Sequence, residues 1–184
     1  MAANVPASIV SRHSIGYHFS TLAIGNNFYP PKADLSTAFY WYTVVDLTNL
    51  NVPDVAVSTS NDTVPANIAK YLGNDQFFLF FASNMQRSSN IPHGALAAFL
   101  QQVGSGNALA RGEQMIDQLG TGCIQLFSYV LAATFTTTDL PGFELFSPDL
   151  SSVLTMQFMP VTVDGKTIYA PIQLGTTGLS VQKQ

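Results

Sequence analysis

Residues 37–47 read TAFYWYTVVDL, and residues 76–82 read QFFLFFA. Aromatic and β-branched side chains dominate the first stretch, and such residues are enriched in strands. The second stretch is apolar at every position but its first, which is typical of a strand that is covered on both faces. The sequence therefore predicts two buried strands, and the rest of the fold must be built around them.

Alternation along the first stretch predicts which side chains share a face. Successive residues of a strand point to opposite sides, so Phe39 and Trp41 are expected on one face, with Tyr40 and Tyr42 on the other. Between the two strands, residues 62–65 (DTVP) favour the start of a helix, and Gly73 is placed to end it. A strand, a helix and a strand in this order indicate a crossover connection and some parallel pairing.

Further elements are predicted on the C-terminal side: helices over residues 93–103 and 108–119, an interior strand over 123–135, and a hairpin of 153–163 with 166–174. The hairpin is the strongest of these predictions, because an Asp-Gly pair (Asp164, Gly165) between alternating strands is a strong turn signal. Pro160 and Pro171 each lack a ladder donor, which places them at edges or bulges. The fold class predicted is mixed α/β: a single mixed sheet flanked by two or three short helices, with a C-terminal β-hairpin.

The domain organisation expected is one core domain over residues 37–174. Residues 1–36 are interpreted as an N-terminal arm that packs on the core, and 175–184 as a polar tail. The N-terminus has no basic segment followed by an apolar stretch, so no signal peptide is predicted. No apolar stretch reaches the roughly 20 residues of a membrane helix. We therefore expect cytoplasmic synthesis and no membrane insertion, with incorporation into a particle or an extracellular assembly left open.

The charge content is unusually low. Asp, Glu, Lys and Arg make up 10% of the 184 residues, whereas about 25% is usual. A folded monomer of this size exposes roughly 8,600 Å², or on the order of 480 Å² for each charged residue. Either neutral polar side chains cover that surface, or part of it is buried against other subunits, where charged residues are depleted and aromatic residues enriched.

Binding to nucleic acid is excluded on the same grounds. The net charge is −4, and the 7 basic residues are scattered along the chain. Sequence-independent binding of nucleic acid needs several clustered phosphate contacts. No nucleic-acid partner is therefore predicted.

Catalytic candidates are few. Cys123, the single cysteine, has His93 as its one conceivable imidazole partner, but it opens an apolar strand where a small buried side chain is expected. Asp139 and Glu144 flank a Pro-Gly turn and could approach each other. No catalytic residue is assigned, and an enzyme of unknown class that uses Cys123 or the Asp139/Glu144 loop is kept as the third hypothesis.

Metal ligands are equally sparse. His13, His18 and Asp34 could meet if the chain folds back, but the histidine spacing fits neither alternate strand positions nor one helix face, and no cluster of Cys or Glu accompanies it. Neither a metal nor another cofactor is predicted.

Two functional hypotheses remain ahead of catalysis. The first is a non-enzymatic structural subunit that assembles with copies of itself, as in a filament, a capsid-associated protein or a particle. Its contacts are expected in the segments 8–29 and 153–174, with the aromatic interface residues Tyr17, Phe19, Phe28, Tyr29, Phe158 and Tyr169. The second is a binding module for neutral ligands such as carbohydrates, which would stack on Tyr40 and Tyr42.

Overall fold

The computed structural model describes residues 3–14, 17–29, 38–84, 90–120, 127–136, 142–148 and 151–172. These residues form ten strands: β1 (Val5–Ser14), β2 (Tyr17–Ile24), β3 (Asn27–Tyr29), β4 (Tyr40–Asp46), β5 (Asp54–Ser58), β6 (Phe77–Ser83), β7 (Ser128–Thr134), β8 (Phe143–Ser147), β9 (Ser151–Val163) and β10 (Lys166–Ile172). They also form three helices: α1 (Ala66–Ala69), α2 (Gly94–Gln102) and α3 (Asn107–Leu119).

The strands form two five-stranded sheets rather than one. Sheet A has the order β10-β9-β1-β2-β3, and sheet B has the order β5-β4-β6-β7-β8. Every neighbouring pair is antiparallel. The prediction of a single mixed sheet flanked by helices is therefore wrong, since most of the regular structure is strand and the described sheets contain no parallel pair.

The strand–helix–strand unit shows why the parallel pairing was expected and why it is wrong. Both β5 and β6 pair antiparallel with β4, so the two strands that flank α1 run in the same direction. However, β4 lies between them in sheet B. The connection does cross over the sheet, but the two strands it joins are not neighbours.

The core has two layers, one on each side of sheet B. Between the two sheets, β1, β2 and β9 supply aliphatic side chains that pack on Trp41, Val45, Phe78 and Phe80 of sheet B. On the opposite face of sheet B, side chains of α1, α2 and α3 pack on Tyr40, Tyr42, Leu79 and Phe81. Sheet B is thus covered on both faces, which accounts for the continuously apolar stretches of β4 and β6.

The predicted alternation in β4 is confirmed for the residues inside the strand. Tyr40 and Tyr42 belong to the helix-side core, and Trp41 belongs to the core between the sheets. Phe39, which lies before the first residue of β4, packs with the tyrosines instead of with Trp41. The strand period of two therefore holds only from Tyr40 onward.

A layer of buried hydroxyl groups crosses the core between the sheets at one end. Ser11 and Ser20, which are register partners in sheet A, both bond to the Ser83 carbonyl of sheet B, at 2.5 and 3.2 Å. The Ser83 hydroxyl lies 3.0 Å from that of Ser11 and accepts the Tyr129 N–H at 2.7 Å. These buried polar groups form hydrogen bonds with one another, and these bonds replace the ones they would make with water.

The C-terminal hairpin is confirmed. β9 and β10 pair from Val163 with Lys166 onward, and the two turn residues Asp164 and Gly165 have φ of 49° and 76°. Positive φ at both central positions is the requirement of the tight turn that suits a twisted hairpin.

Both prolines of the hairpin lie where no ladder bond is lost. The Tyr169 N–H donates to the Leu47 carbonyl at 2.8 Å, so it points away from β9. By the strand period, the nitrogen of Pro171 points the same way, off the edge of sheet A. Pro160 lies two residues beyond Phe158, the last residue of β9 that pairs with β1. The expectation that the prolines lie at edges is confirmed.

Candidate interaction surface

One face of sheet A has no described helix or strand packed on it. The inner face packs on sheet B, and we call the opposite side the outer face of sheet A. Along β9, exposed and buried residues alternate from Ser151 to Met156, which is the pattern of a strand with one face exposed to solvent. The outer face is formed by Pro6, Ser8, Val10, Arg12, Thr21, Ala23, Phe28, Val153, Thr155, Gln157 and Met159.

Two rows of side chains cross this face by register. Val153 lies opposite Val10, which lies opposite Thr21. In the next row, Thr155, Ser8, Ala23 and Phe28 are successive partners across β9, β1, β2 and β3. Apart from the Phe28 ring, the rows combine aliphatic and hydroxyl side chains of small or moderate size.

Several apolar side chains of this face are open to solvent. Phe28 is 69% exposed, Val153 51% and Met159 37%. Thr21 differs, since it is buried at 6% exposure and its hydroxyl has no hydrogen-bond partner among the described residues. The exposed residues therefore lie towards both sides of the face, around a more sheltered middle.

That middle contains a shallow depression of about 410 Å³. Its lining includes the small side chains of Ser8, Ala23 and Thr155, together with Gly25. Phe28 stands next to Ala23 in the register, so an exposed aromatic ring rises beside a concave patch. A protruding side chain next to a depression is the shape that two identical surfaces need in order to fit together.

Charge is nearly lacking from sheet A. Across its five strands as described, the ionised side chains are Arg12 and Lys166, and no residue is a carboxylic acid. Carboxylates such as Asp54, Glu113 and Asp117 lie instead on sheet B and its helices. The two outer sides of the molecule are therefore electrostatically different.

The lateral edges of sheet A are poorly suited to strand addition. β3, at one edge, is three residues long. At the other edge, the outward Tyr169 N–H is already bonded to Leu47, and Pro171 has no N–H to offer. Short edge strands and prolines are devices that block edge-to-edge pairing. Contacts to sheet A are consequently favoured through its face.

The interface residues named from the sequence have different positions. Phe28 is on the outer face, whereas Phe158 is fully buried between the sheets and Tyr29 and Tyr169 are partly buried against the same core. Tyr17 and Phe19 lie in β2, but their side chains are outside the described part of the chain. The interface role of these residues stays a prediction.

Sequence reasoning did not single out Val153 and Met159. Their signal is the alternation of β9, which assigns them to the face opposite Leu154 and Met156. The two segments named for assembly contacts, 8–29 and 153–174, do come together, because β1 pairs with β9.

Tyr40 and Tyr42, the residues named for ligand stacking, are both fully buried under the helices. The Tyr40 ring stacks on Phe81 at 5.0 Å, and its hydroxyl donates to the Asn90 carbonyl at 2.5 Å. Burial raises the pKa of the Tyr42 phenol well above its ordinary value. Both rings are occupied by core contacts, so their ligand role stays a prediction without structural support.

Glu144 lies in β8 rather than in a loop, and its carboxylate caps α3. Oε1 accepts the N–H groups of Gly106 and Ala108 at 3.1 and 2.7 Å, and Oε2 accepts the Tyr129 hydroxyl at 2.7 Å. Burial, with the Glu144 charge as second cause, raises the pKa of the Tyr129 phenol, so it remains a donor. A carboxylate at a helix N-terminus is a stabilising arrangement. Asp139, its expected partner, lies outside the described residues.

The remaining chemical candidates form no site in the described structure. Cys123 and Asp34 lie outside the described residues. His93 precedes α2 at an exposed position. His13 and His18 are direct register partners across the β1–β2 hairpin, an arrangement that the sequence spacing did not suggest. Among the described residues, no group of three or more His, Cys, Asp or Glu is placed to hold a metal ion.

Comparison with protein-family models and with curated proteins finds no match to this chain. In the described part of the chain, no helix combines the length and the hydropathy needed to cross a bilayer.

Proposed function

We propose that this chain is a non-enzymatic structural subunit that pairs with a second copy of itself through the outer face of sheet A. The observation that supports this most directly is a five-stranded face that no described helix or strand covers, with exposed Phe28, Val153 and Met159 and almost no ionised side chains.

The low charge of this face suits contact with an identical surface. Two copies of a strongly charged face would repel each other, whereas a neutral one can stack on itself without like-charge contacts. The core of an interface is also where charged residues are depleted. Arg12 and Lys166, the two ionised residues of the strands of sheet A, lie near strand ends, where they can stay in contact with water.

The size of the face is adequate for a specific pair. Five strands about 4.8 Å apart and on average about eight residues long, at ~3.3 Å per residue, give a face of roughly 24 by 26 Å. That is about 630 Å² per copy, at the lower end of the range for specific interfaces, whose total is ~1,200–2,000 Å². Face-to-face stacking of this extent needs no further contact from other parts of the chain.

The geometry favours a closed pair over an open fibre. The blocked edges of sheet A disfavour edge-to-edge growth. A contact in which the same face is used by both copies is isologous and closes after two subunits. In such a pair, the exposed Phe28 ring of one copy is able to fill the partner's depression at Ser8 and Ala23.

The test is the mass in solution of two matched variants. Val153→Glu introduces a buried, unpaired charge into the proposed interface, while Val55→Glu makes the same change at an exposed valine of β5 in sheet B. By multi-angle light scattering at tens of micromolar, the wild type and Val55→Glu are expected to be dimers, and Val153→Glu a monomer. Wild-type protein that is monomeric across this range would refute the proposal.

A second candidate function has one observation in its favour. The exposed Phe28 ring stands in the same cross-strand row as the hydroxyl groups of Ser8 and Thr155, two and three strands away, and an aromatic face in line with such neutral polar groups is suited to a sugar ring. On this alternative the wild type is a monomer whose melting temperature rises with one sugar of a panel, and Phe28→Ala abolishes the rise. Dimers with an unchanged melt across the panel would argue against it.

A further inference from the structure

A partly enclosed cavity of about 360 Å³ lies at one end of the interface between the sheets. Sheet B lines it with Phe78, Ala132, Thr134 and Phe143, and sheet A lines it with Pro171. This cavity is distinct from the depression on the outer face of sheet A, because the described residues that line the two are different.

The aromatic wall of the cavity is held by the core itself. The Phe78 ring contacts Phe80 and Phe158 edge-on, with centroids 5.3 and 5.6 Å away. Pro171 is the register partner of Phe158, so the wall from sheet A is tied to the same cluster. The cavity is thus bounded by side chains that other contacts already immobilise.

The rim of the cavity is held by backbone contacts. Gly142 donates its N–H to the Gly104 carbonyl at 2.9 Å. A Cβ at Gly142 would come within 2.9 Å of the Ala133 Cβ, so this close approach requires glycine. The backbone that leads into β8 is consequently fixed against β7, next to the cavity.

The cavity exists because β7 carries small side chains where its neighbours carry large ones. Ala132 lies opposite Phe80 in β6 and opposite Phe143 in β8. A leucine or phenylalanine at this position would fill the space. The opening is therefore a feature of the amino-acid choice at one register position.

The lining indicates the chemistry of the occupant. None of the described lining residues is ionised, and the Thr134 hydroxyl already lies 3.0 Å from that of Thr136. A charged group would be costly to bury here, because none of the described lining residues would pair with it. The volume lies in the lower part of the ~300–1,000 Å³ range of small-molecule sites.

We infer that this cavity binds a small, uncharged aromatic or alicyclic molecule of about two to three rings. Its rings pack between Phe78, Phe143 and Pro171. The inference is independent of the proposed self-association, since the cavity and the outer face of sheet A share no lining residue.

The experiment is a titration of the full chain with N-phenyl-1-naphthylamine, a neutral probe that fluoresces in apolar surroundings. Ala132→Leu fills the cavity, and Ala23→Leu makes the same substitution in the depression on the outer face. The wild type and Ala23→Leu are expected to bind one probe per chain, and Ala132→Leu to bind at least ~10-fold more weakly. The anionic probe 1-anilinonaphthalene-8-sulfonate is expected to bind the wild type more weakly than the neutral probe.

A second variant that fills the cavity keeps the test valid if Ala132→Leu does not fold. Thr134→Leu changes a partly buried position at the cavity wall, and a cooperative thermal melt checks that each variant is folded. Saturable binding that a folded filling variant loses supports the inference. Non-saturable binding to the wild type, loss of binding with Ala23→Leu instead, or equal binding by every folded variant would overturn it.

Discussion

The two sheets of this protein are built from similar strands but differ in how many of their faces are covered. Sheet B lies between sheet A and the helices, and its central strands are apolar at nearly every position. Sheet A is covered by sheet B on one side, and its long strands alternate. The difference shows that burial on a second face, rather than membership of a sheet, is what makes a strand continuously apolar. It also locates the face through which we propose that two copies of the chain pair.

Among the substitutions that distinguish the two sheets, Phe80→Ala is expected to have the largest effect on the free energy of unfolding. Phe80 is fully buried between the sheets and contacts Phe78 and Phe158. Its truncation should lower the free energy of unfolding by about 3–5 kcal/mol. Thr155→Ala on the outer face of sheet A should change it by less than ~0.5 kcal/mol. Urea denaturation of both variants measures the contrast, and similar losses would mean that the outer face is not exposed.

On the helix side of sheet B, substitution of Gly112 is expected to lower the stability of the fold by nearly as much as Phe80→Ala does. A Cβ at Gly112 would overlap the Phe146 ring, so any larger residue requires that ring to move away from α3. Gly112→Ala should destabilise the fold by about 1–3 kcal/mol, although alanine favours helices. Gly106→Ala is the control, because its Cβ would meet only Glu144 Oε1 at 3.9 Å. Thermal melts that rank Gly106→Ala as the more destabilising would contradict this packing.

The buried hydroxyl layer that joins the sheets is expected to show a smaller loss in Ser83→Ala. The substitution leaves the buried Tyr129 N–H and the Ser11 hydroxyl each with one bond fewer. An unsatisfied buried donor costs about 1–3 kcal/mol. Ser83→Cys, which retains a weak acceptor, should lose less. A Ser83→Ala variant as stable as the wild type in urea would show that water replaces the hydroxyl.

The smallest effect on stability is expected at low pH, where Asp54 on the surface of sheet B becomes protonated. The bond from Lys70, at 2.8 Å, and then that from Tyr71, hold the pKa of Asp54 below its ordinary value. Because the folded state has the lower pKa, this stabilisation is complete above about pH 4 and is lost as the pH falls through the folded pKa. The difference in melting temperature between the wild type and Asp54→Asn should shrink over that interval.

Lys70→Gln provides the internal check on this titration. Tyr71 and Asn67 still donate to Asp54 in that variant, so part of the pH dependence should persist. A pH dependence that is identical in the wild type and in Asp54→Asn would show that other carboxylates are responsible.

Much of the local structure was predictable because neighbouring residues decide it. The hairpin at Asp164 and Gly165, the helices α2 and α3, and the buried strands β4 and β6 all follow from turn chemistry or periodicity. β8 was missed, because it lies in a stretch rich in Pro, Gly and Ser that resembles a loop. The exposed side chains of the candidate surface were only partly predictable, since aromatic residues were favoured over the aliphatic Val153 and Met159.

The sequence by itself determined that residues 40–46 and 77–83 are interior strands, because side chains that are apolar on both faces are stable only when both faces are covered. Only the tertiary structure decided what covers them. The pairing of β1 with β9 brings together residues about 150 positions apart, such as Val5 and Phe158, and splits the strands into two sheets. Antiparallel pairing over such a distance leaves no local period in the sequence, so the face of sheet A that no described element covers becomes visible only when both sheets are in place.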